Sequence, residues 1–447
     1  MLPYAWPFTR KIMAPSTLRI PNGQAAGVKE QALQWAGKRY AHCCFLDHNG
    51  YQRYPHHSVQ ALLAAGSRRQ LKCSAREAPF ARWKAWHDGA WWSFGFLAYD
   101  LKNDLEDLQS QHPDGIGMPD LFFFEPELVL EFQDGALLIH SAGMDPAVVW
   151  RAIREETVAD APCPQAKPLR VRPRMSRPEY VRRLEAILEH IQAGDVYEMN
   201  FCQEFFAEGV PLRPLPLFRR LNASARAPFS AFLKLEDRYL LSTSPERFLK
   251  RSGSLLLSQP IKGTARRGSN AAQDARLRQS LQESLKDRTE NVMIVDLVRN
   301  DLGRCCRPGS VRVEELFGLY TFEHVHQLIS TVRGQLPDGL HPVDAIRALF
   351  PMGSMTGAPK VRSMQLIEQY ELCRRGLYSG ALGYFRPGGD FDFNVIIRSL
   401  LYNATRRYTS IQVGGAIVAA SRPEAEYEEC LIKVRGLLEA IPAQIAF

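Results

Sequence analysis

Two pairs of acidic residues stand at helical spacing in the C-terminal half of the chain. Asp287 and Glu290 are three residues apart, as are Glu426 and Glu429, so each pair would share one face of a helix. Magnesium is a hard cation that prefers oxygen ligands, and carboxylates grouped in this way suit it. Acidic residues near a helix N-terminus also stabilise the helix dipole without any metal. The spacing alone therefore leaves a metal site and a structural role both open.

A lysine and a glutamate have neighbours that suit covalent or proton-transfer chemistry. Lys262 stands between Ile261 and Gly263, and partial desolvation there would favour the free amine, which is a nucleophile or a base. Glu246 follows a predicted strand, and a carboxylic acid at a strand end can serve as general acid or base. The alternatives are an exposed lysine in a turn and a surface salt bridge between Glu246 and Arg247. Spacing does not separate these interpretations.

Glycine-rich turns and one arginine suit the binding of an anion. The turn at residues 353–360 precedes a predicted helix and could hold an anion on its backbone amides. Gly414 and Gly415 follow a predicted strand, where backbone N–H groups can approach a ligand closely. Arg398 lies in an apolar predicted strand and needs a partner, either a ligand carboxylate or a buried structural ion pair. Both glycine turns could also be tight turns and nothing more.

The elements that must position these residues are helices and clusters of strands. Beyond residue 174 the helical patterns cover residues 177–193, 273–302, 343–350, 360–371 and 423–441. The strand patterns cover residues 197–206, 231–235, 239–242, 254–257, 381–385, 395–402 and 408–413, with earlier strands at 91–99 and at 120–132, the latter broken at Pro126. Clustered strands favour an α+β fold with largely antiparallel sheets over a doubly wound one.

A proline-rich segment at residues 159–174 is the predicted boundary between two regions. Four prolines in this segment resist both helix and central strand. The N-terminal region is residues 1–165, which hold few catalytic signals, and the C-terminal region is residues 170–447, which hold all the candidate residues named above. The length of 447 residues is sufficient to bury a large core.

Composition argues against several classes of protein. The formal net charge is +8, but the basic residues are spread along the chain and no DNA- or RNA-binding motif accompanies them. The nine cysteines contain no CxxC pair, and such a scattered set fits reduced thiols in a cytoplasmic protein. His324 and His326 lack a third metal ligand at standard spacing, and no Gly-x-Ser-x-Gly elbow of a hydrolase occurs. The first 13 residues lack a signal-peptide core, and no run of about 18 uncharged apolar residues predicts a membrane span.

In their order along the chain, these motifs resemble those of the chorismate-binding enzymes related to component I of anthranilate synthase. The resemblance rests on residues 194–200, 244–246, 260–264, 287–301, 350–360, 397–398, 414–415 and 426–433, with weaker support from 95–100. Each motif alone is a modest signal, whereas the ordered set is highly specific. The resemblance implies an α/β sandwich of two large antiparallel sheets with outer helices. Residues 1–165 would belong to the same sandwich as the catalytic region.

The resemblance also implies a role for each candidate residue. Glu290 and Glu429 would hold magnesium, which binds the ring carboxylate of chorismate, and Glu426 would assist through water. Lys262 would be the nucleophile and Glu246 the general acid and base. Six residues would position the substrate: Thr264, Tyr378, Arg398, Gly414, Gly415 and Lys433.

Lys262 distinguishes the branches of this family. The Pro-Ile-Lys-Gly-Thr run at residues 260–264 resembles the branch that aminates chorismate to 4-amino-4-deoxychorismate, for para-aminobenzoate and folate synthesis. In that branch the lysine amine attacks C2 as the C4 hydroxyl leaves, and ammonia then adds at C4 and expels the lysine. No Gly-x-Cys-x-Gly nucleophile motif occurs, so a separate glutamine amidotransferase subunit would supply ammonia. Anthranilate synthesis, isochorismate or salicylate synthesis, and a non-catalytic chorismate-binding protein are the alternatives.

One position departs from the family pattern. Gln327 stands where the family often has a histidine, and His326 comes one residue early. A shift of one residue on a strand places a side chain on the other face. No catalytic histidine is therefore expected here.

Overall fold

Two large sheets and eleven helices make up the part of the chain that the computed structural model describes. That part comprises residues 16–21, 27–51, 54, 56–57, 59–133, 136–158 and 168–446. The predictions for the first 13 residues, and most of the proline-rich boundary segment, lie outside the described residues. No helix in these ranges is long and apolar enough to span a membrane.

The helices of the described residues are α1 Val28–Arg39, α2 Pro79–Trp86, α3 Lys102–Leu105, α4 Pro146–Arg154, α5 Arg177–Gln192, α6 Pro214–Ala225, α7 Ala271–Glu283, α8 Leu285–Gly303, α9 Pro342–Leu349, α10 Lys360–Tyr370 and α11 Pro423–Leu438. The strands up to residue 173 are β1 Ser16–Pro21, β2 His42–Asp47, β3 Ala61–Ala65, β4 Arg69–Cys73, β5 Ser93–Leu97, β6 Leu121–Glu125, β7 Leu128–Gln133, β8 Ala136–Ser141 and β9 Leu169–Pro173. The later strands are β10 Glu198–Glu208, β11 Phe229–Leu235, β12 Arg238–Ser244, β13 Arg247–Ser252, β14 Leu255–Gln259, β15 Ile261–Arg266, β16 Arg312–Thr321, β17 Val325–Gln335, β18 Gly357–Ala358, β19 Ala381–Phe385, β20 Phe391–Val395, β21 Ser399–Asn403, β22 Tyr408–Val418 and β23 Ala443–Ile445.

The strands form two mostly antiparallel sheets. The first sheet has the order β1-β8-β7-β3-β2-β11-β12-β21-β22-β10-β9-β23, with β18 also pairing with β10. The second sheet has the order β15-β17-β14-β13-β20-β19-β5-β6-β4, with β16 beside β17. Strands from both sides of the proline-rich segment contribute to each sheet. The expectation that this segment resists a central strand is wrong at its C-terminal end, where β9 pairs with both β10 and β23. The α+β class with two large antiparallel sheets is confirmed.

The two sheets pack face to face through alternate residues of their strands. Phe94 and Phe96 of β5 and Phe122 and Phe124 of β6 belong to one buried cluster with Leu233 of β11, which lies in the other sheet. The intervening residues of these strands face outward and are buried as well. Strands covered on both faces read as continuous apolar runs, as the sequence at 91–99 does.

Helices cover the outer face of each sheet. Leu184 of α5 and Val434 of α11 are buried in the cluster on the outer face of the first sheet. Trp83 of α2, Ile294 of α8 and Ile346 of α9 are buried in the cluster on the outer face of the second sheet. Helices α8 and α11 thus belong to different layers, yet each carries part of the acidic set.

The predicted helix at residues 273–302 is wrong as a single element. It is two helices, α7 and α8, separated at Ser284. Ser284 has extended backbone angles, and its hydroxyl accepts a hydrogen bond from the Asp287 backbone N–H at 3.2 Å. A serine N-cap of this kind begins a new helix. Glu290 therefore lies near the N-terminal end of α8.

The predicted strand at residues 395–402 is also wrong. The strand β20 ends at Val395 in the second sheet, and β21 begins at Ser399 in the first. Between them Arg398 adopts a φ of +51°, in the left-handed region. The chain therefore crosses from one sheet to the other, and Arg398 lies at the crossing.

Candidate active site

Lys262 lies at a β-bulge on β15, an edge strand of the second sheet. Ile261 pairs with Ile329 and Thr264 pairs with Gln327, so one extra residue stands on β15 between these pairs. Gly263 in the bulge has a φ of +91°, which glycine adopts without the steric cost of a Cβ. A bulge redirects the local side chain away from the regular ladder. Lys262 is redirected toward the first sheet.

The ammonium of Lys262 is paired with a carboxylate of the first sheet. Lys262 Nζ donates a hydrogen bond to Oε1 of Glu198, the first residue of β10, at 2.6 Å. The Lys262 side chain is 11% exposed and the Glu198 side chain 2% exposed. The interpretation of Lys262 as an exposed lysine in a turn is therefore wrong.

Glu246 lies between β12 and β13 and is buried. The Ser354 hydroxyl donates a hydrogen bond to Glu246 Oε1 at 2.7 Å. Burial raises the pKa of Glu246 to about 7, against the opposing effects of the Ser354 hydrogen bond and the Lys262 charge. Arg247 pairs with Asp392 at 2.9 Å, so a surface salt bridge between Glu246 and Arg247 is also a wrong interpretation. A carboxyl that keeps its proton near neutral pH can act as a general acid.

The three predicted metal-binding carboxylates are contributed by two helices. Burial raises the pKa of Glu290 on α8, although Lys262 and Lys286 oppose it. Burial also raises the pKa of Glu426 on α11. Burial acts in the same direction on Glu429, but the charge and hydrogen bond of Lys433, together with the charges of Lys286 and Arg398, outweigh it and the pKa is lowered. The charge of Lys286 acts on all three carboxyls, which therefore share one electrostatic environment.

Gly415 on β22 gives the α11 carboxylates room to approach the sheet. A Cβ at Gly415 would come within 3.2 Å of Glu426 Oε2, 3.7 Å of Glu429 Oε1 and 3.8 Å of Lys433 Nζ. Lys433 Nζ also donates to the Gly414 carbonyl and to Glu429 Oε1, at 2.6 Å each. The structure thus brings together five of the predicted residues: Gly414, Gly415, Glu426, Glu429 and Lys433.

The donor chemistry of this acidic set fits magnesium. As the side chains stand, no three acidic, histidine or cysteine side chains in the described part of the chain are close enough to enclose a metal ion. The donors are nevertheless carboxylate oxygens, which magnesium prefers. Burial disfavours the charged forms of Glu290 and Glu426, and a divalent cation beside them would favour those forms.

Arg398 has no carboxylate partner within 4 Å among the residues that the structure describes. Burial lowers the pKa of its guanidinium, with Tyr378 and Glu429 opposing. Tyr378 is itself buried, and Cys202 Sγ lies 3.6 Å from its hydroxyl. The alternative of a buried structural ion pair is therefore not found for Arg398. Its guanidinium is free to pair with an anionic ligand beside Tyr378 and Glu429.

Thr264 lies beside Gln327, the residue that departs from the family pattern. Gln327 Nε2 is 3.5 Å from Thr264 Oγ1, and Gln327 Oε1 is buried without a hydrogen-bond partner in the described ranges. His326, by contrast, lies 3.1 Å from Asp274 Oδ1 on α7. The two neighbours on β17 thus have different surroundings, as the one-residue shift predicts.

Two contributors to this site had no role assigned from the sequence. Glu198 follows the Gly194-Asp195 turn and lies at the start of the predicted strand at 197–206, and an acidic residue at the entry of a strand is the signal that could have identified it. Ser354 lies in the predicted glycine-rich turn, and no sequence pattern connects it with Glu246. The sequence separates each residue from its partner by 64 or more positions.

Comparison with known proteins gives a family match over most of the chain. The sequence model described as chorismate binding enzyme matches residues 38–439. The chain is 38% identical to aminodeoxychorismate synthase component 1 of Salmonella typhimurium over 358 residues, which are 78% of this chain and 76% of that protein. It is 37% identical to anthranilate synthase component 1 of Thermus thermophilus over 356 residues, again 78% and 76%.

A solved structure supports the same fold. Anthranilate synthase component I from Streptococcus pneumoniae superposes with a TM-score of 0.75 at 25% identity, covering 87% of this chain and 95% of that one. The expected likeness in fold to component I of anthranilate synthase is confirmed. The identities of 38% and 37% to relatives with different products are nearly equal. Individual residues must therefore distinguish the possible reactions.

Proposed function

The chain belongs to the family of chorismate-binding enzymes, and from that premise we propose that it aminates chorismate to 4-amino-4-deoxychorismate. This product leads to para-aminobenzoate and folate. The observation that supports the proposal most is the position of Lys262, which the bulge directs into a buried site beside the carboxyls of Glu198, Glu246 and Glu290. A buried lysine close to several carboxyls is suited to covalent catalysis. Relatives named aminodeoxychorismate synthase component 1 further support it.

Chorismate would bind through its two carboxylates. The guanidinium of Arg398 would pair with one of them, because it has no structural partner in the described residues and an arginine fork matches a carboxylate. Tyr378, Lys433 and the backbone at Gly414 and Gly415 would complete this end of the site. Thr264 would contact the substrate from the strand that carries Lys262.

Magnesium would be held by Glu290 and Glu429, with Glu426 assisting through water. When bound, the ion would neutralise the ring carboxylate and polarise the ring for substitution. The three glutamates would thereby tie α8 of one layer to α11 of the other. This role is consistent with the effect of burial on Glu290 and Glu426.

The substitution would proceed in two steps. The Lys262 amine attacks C2 of chorismate while Glu246, which keeps a proton near neutral pH, protonates the departing C4 hydroxyl. Ammonia then adds at C4, and the amine of Lys262 leaves from C2. A covalent nucleophile divides one difficult substitution into two easier ones.

Ammonia would come from a glutamine amidotransferase subunit. The designation of the similar proteins as component 1 supports a separate partner. We further propose a cytoplasmic location. All eight cysteines of the described residues are free thiols, which is consistent with a reducing compartment.

Product analysis tests the proposed function. The purified chain is incubated with chorismate, ammonium and magnesium, and the products are separated by chromatography. We expect 4-amino-4-deoxychorismate without pyruvate, and no turnover when magnesium is removed with a chelator. Anthranilate with pyruvate would assign the chain to the other branch, and isochorismate or salicylate formed without ammonium would also overturn the proposal.

A further inference from the structure

Glu198 is held rigidly at the start of β10. Its backbone pairs with Val418 of β22 on one side and with Ala358 of β18 on the other. A Cβ at Gly357 would lie 2.1 Å from the Glu198 carbonyl oxygen, so β18 approaches closely. Because strands pair with β10 on both sides of Glu198, the backbone of this residue has a defined position. The strand therefore does not need the ion pair between Glu198 and Lys262 to stay in place.

The two oxygens of the Glu198 carboxyl have different environments. Oε1 accepts the hydrogen bond from Lys262 Nζ at 2.6 Å. Oε2 is buried and has no hydrogen-bond partner among the described residues. A buried polar atom without a partner costs free energy. A carboxyl retained in this state suits a functional role better than a structural one.

Another buried glutamate on the same strand shows what a structural pair looks like here. Glu204 Oε2 accepts hydrogen bonds from Arg174 at 2.6 and 3.1 Å, and its Oε1 accepts from the Tyr408 hydroxyl at 3.0 Å. Both oxygens of Glu204 are therefore satisfied. Arg174, the partner of Glu204, cannot lose a proton in a protein. Lys262, the partner of Glu198, can lose one.

The other carboxyls near Lys262 are poorly suited to take its proton. Glu246 Oε1 already accepts a hydrogen bond from the Ser354 hydroxyl. Burial also raises the pKa of Glu246 to about 7, so this carboxyl holds its own proton near neutral pH. Glu290 has no ion pair with Lys262 within 4 Å. Gln327 and Thr264, which lie near Lys262 on β17 and β15, are not carboxyls. Glu198 is the carboxyl in hydrogen-bond contact with the ammonium.

We propose that Glu198 is the proton acceptor of Lys262, an inference that rests on the proposed function. In the first step a proton passes from Nζ to Glu198 Oε1, and the amine forms its bond to C2. The C4–O bond breaks, and the hydroxyl leaves as water with the proton of Glu246. In the second step ammonia bonds to C4 and gives a proton to Glu246, the Nζ–C2 bond breaks, and Glu198 returns its proton to Lys262. Chorismate and ammonia thereby give 4-amino-4-deoxychorismate and water.

Isosteric replacement and chemical rescue test this role. Glu198→Gln keeps the shape of the side chain and can accept a hydrogen bond, but it cannot take a proton. We expect chorismate consumption at saturating ammonium to show a kcat lower by about 10²-fold, the scale of a lost general base, with the KM for chorismate unchanged. Glu198→Asp restores a carboxylate and should regain part of that kcat.

Glu198→Ala leaves a space that a small carboxylate can enter. We expect formate to raise its turnover in proportion to formate concentration, whereas chloride at equal ionic strength does not. Formate should not raise the turnover of Glu198→Gln, because the amide fills the space. Glu204→Ala is the matched control, since it removes a buried carboxylate from the same strand, and formate should not accelerate it.

The outcomes separate the inference from the proposed function. Wild-type kcat in Glu198→Gln, no formate rescue of Glu198→Ala, or equal rescue of Glu204→Ala would overturn the role of Glu198. If Glu198→Ala does not fold in a thermal unfolding assay, a kcat of Glu198→Asp no higher than that of Glu198→Gln overturns it instead. Failure of the proposed function would be seen with the wild-type chain, without any variant, as a different product or as no consumption of chorismate.

Discussion

At the scale of single residues, the carboxyls around Lys262 have distinct environments. Glu198 accepts a hydrogen bond from the ammonium directly, whereas Glu246 is buried against Ser354 with its pKa raised to about 7. Glu290 lies on a helix beside Lys286. Where environments separate titratable groups in this way, each can take a different role at one pH. We therefore assign proton acceptor, general acid and metal ligand to three different glutamates as hypotheses.

Removal of the Lys262 amine should abolish the covalent step. In Lys262→Ala we expect the rate of aminodeoxychorismate formation to fall by about 10³-fold or more, on the scale of a lost nucleophile, with anthranilate-like side chemistry as the remaining activity. Product analysis measures the rate, and mass spectrometry of the 261–266 peptide detects a substrate adduct in the wild type. Lys262→Arg is the control that keeps the charge but not the nucleophile. A rate equal to the wild type would remove Lys262 from the mechanism.

The pH dependence of kcat should report the proton on Glu246. Because burial raises its pKa from 4.5 to about 7, the carboxyl is protonated below about pH 7, and kcat should decrease as the pH rises above that value. The Ser354 hydrogen bond favours the ionised form and lowers this pKa. Ser354→Ala should therefore move the alkaline limb of the kcat profile to higher pH. Glu246→Gln should lower kcat and remove the limb, and an unmoved limb in Ser354→Ala would contradict this assignment.

At the scale of elements, three local features position the candidate site residues. The bulge in β15 redirects Lys262, the Ser284 cap begins the helix that carries Glu290, and Gly415 lets the carboxylates of α11 approach β22. Each is a departure from a regular element. A regular strand or an uninterrupted helix would direct these side chains elsewhere.

The bulge glycine can be tested against a second glycine of similar backbone conformation. Gly263 has a φ of +91°, and a Cβ there would lie 3.0 Å from the Cβ of Asp287. Gly253, in the turn between β13 and β14, has a φ of +60° with nothing within 4 Å of such a Cβ. Each substitution by alanine should cost about 1–2 kcal/mol of stability from the left-handed backbone. We expect only Gly263→Ala to lose most of its kcat as well, and equal activity of the two variants would show that the bulge does not position Lys262.

At the scale of the whole molecule, the site exists because two sheets and two helical layers meet. Lys262 comes from the second sheet and Glu198 from the first, while Glu290 and Glu429 come from helices that cover different sheets. Arg398 lies where the chain crosses between the sheets. The packing of the sandwich therefore decides the geometry of the site.

Arg398 should matter for binding and not for stability. Because its partly buried guanidinium has no ion pair in the described residues, Arg398→Met should leave the free energy of unfolding unchanged or raise it, while the KM for chorismate increases by about 10-fold or more from a lost bidentate contact. Arg247 is the contrasting buried arginine, paired with Asp392. Arg247→Met should destabilise by about 3–5 kcal/mol, because the buried Asp392 carboxylate loses the hydrogen bonds from the guanidinium at 2.9 and 3.1 Å. Chemical denaturation and steady-state kinetics measure both effects, and a strongly destabilised Arg398→Met would contradict the assignment.

Local patterns in the sequence were sufficient to predict the class of fold and the family. The apolar periodicity at 177–193, 360–371 and 423–441 predicts three helices that the structure contains within three residues of the expected ends, because a helix with one buried face leaves a period of 3.6 residues. The ordered motifs predict the chorismate-binding family, which the comparison confirms. The roles of the individual site residues stay predictions.

What only the tertiary structure decided is which neighbour each residue meets. The run at 395–402 is buried except at Ile397 and Arg398, which are partly buried. Periodicity reports burial but not the sheet in which a residue is buried, so it does not reveal the crossing at Arg398. The bulge at Gly263 depends on the register between β15 and β17, which long-range pairing sets. The pairing of Lys262 with Glu198 joins residues 64 positions apart. The sequence by itself determined that a lysine and several carboxyls are present in the order of a known family, and the packing of two sheets decided that one of those carboxyls receives the hydrogen bond of the lysine.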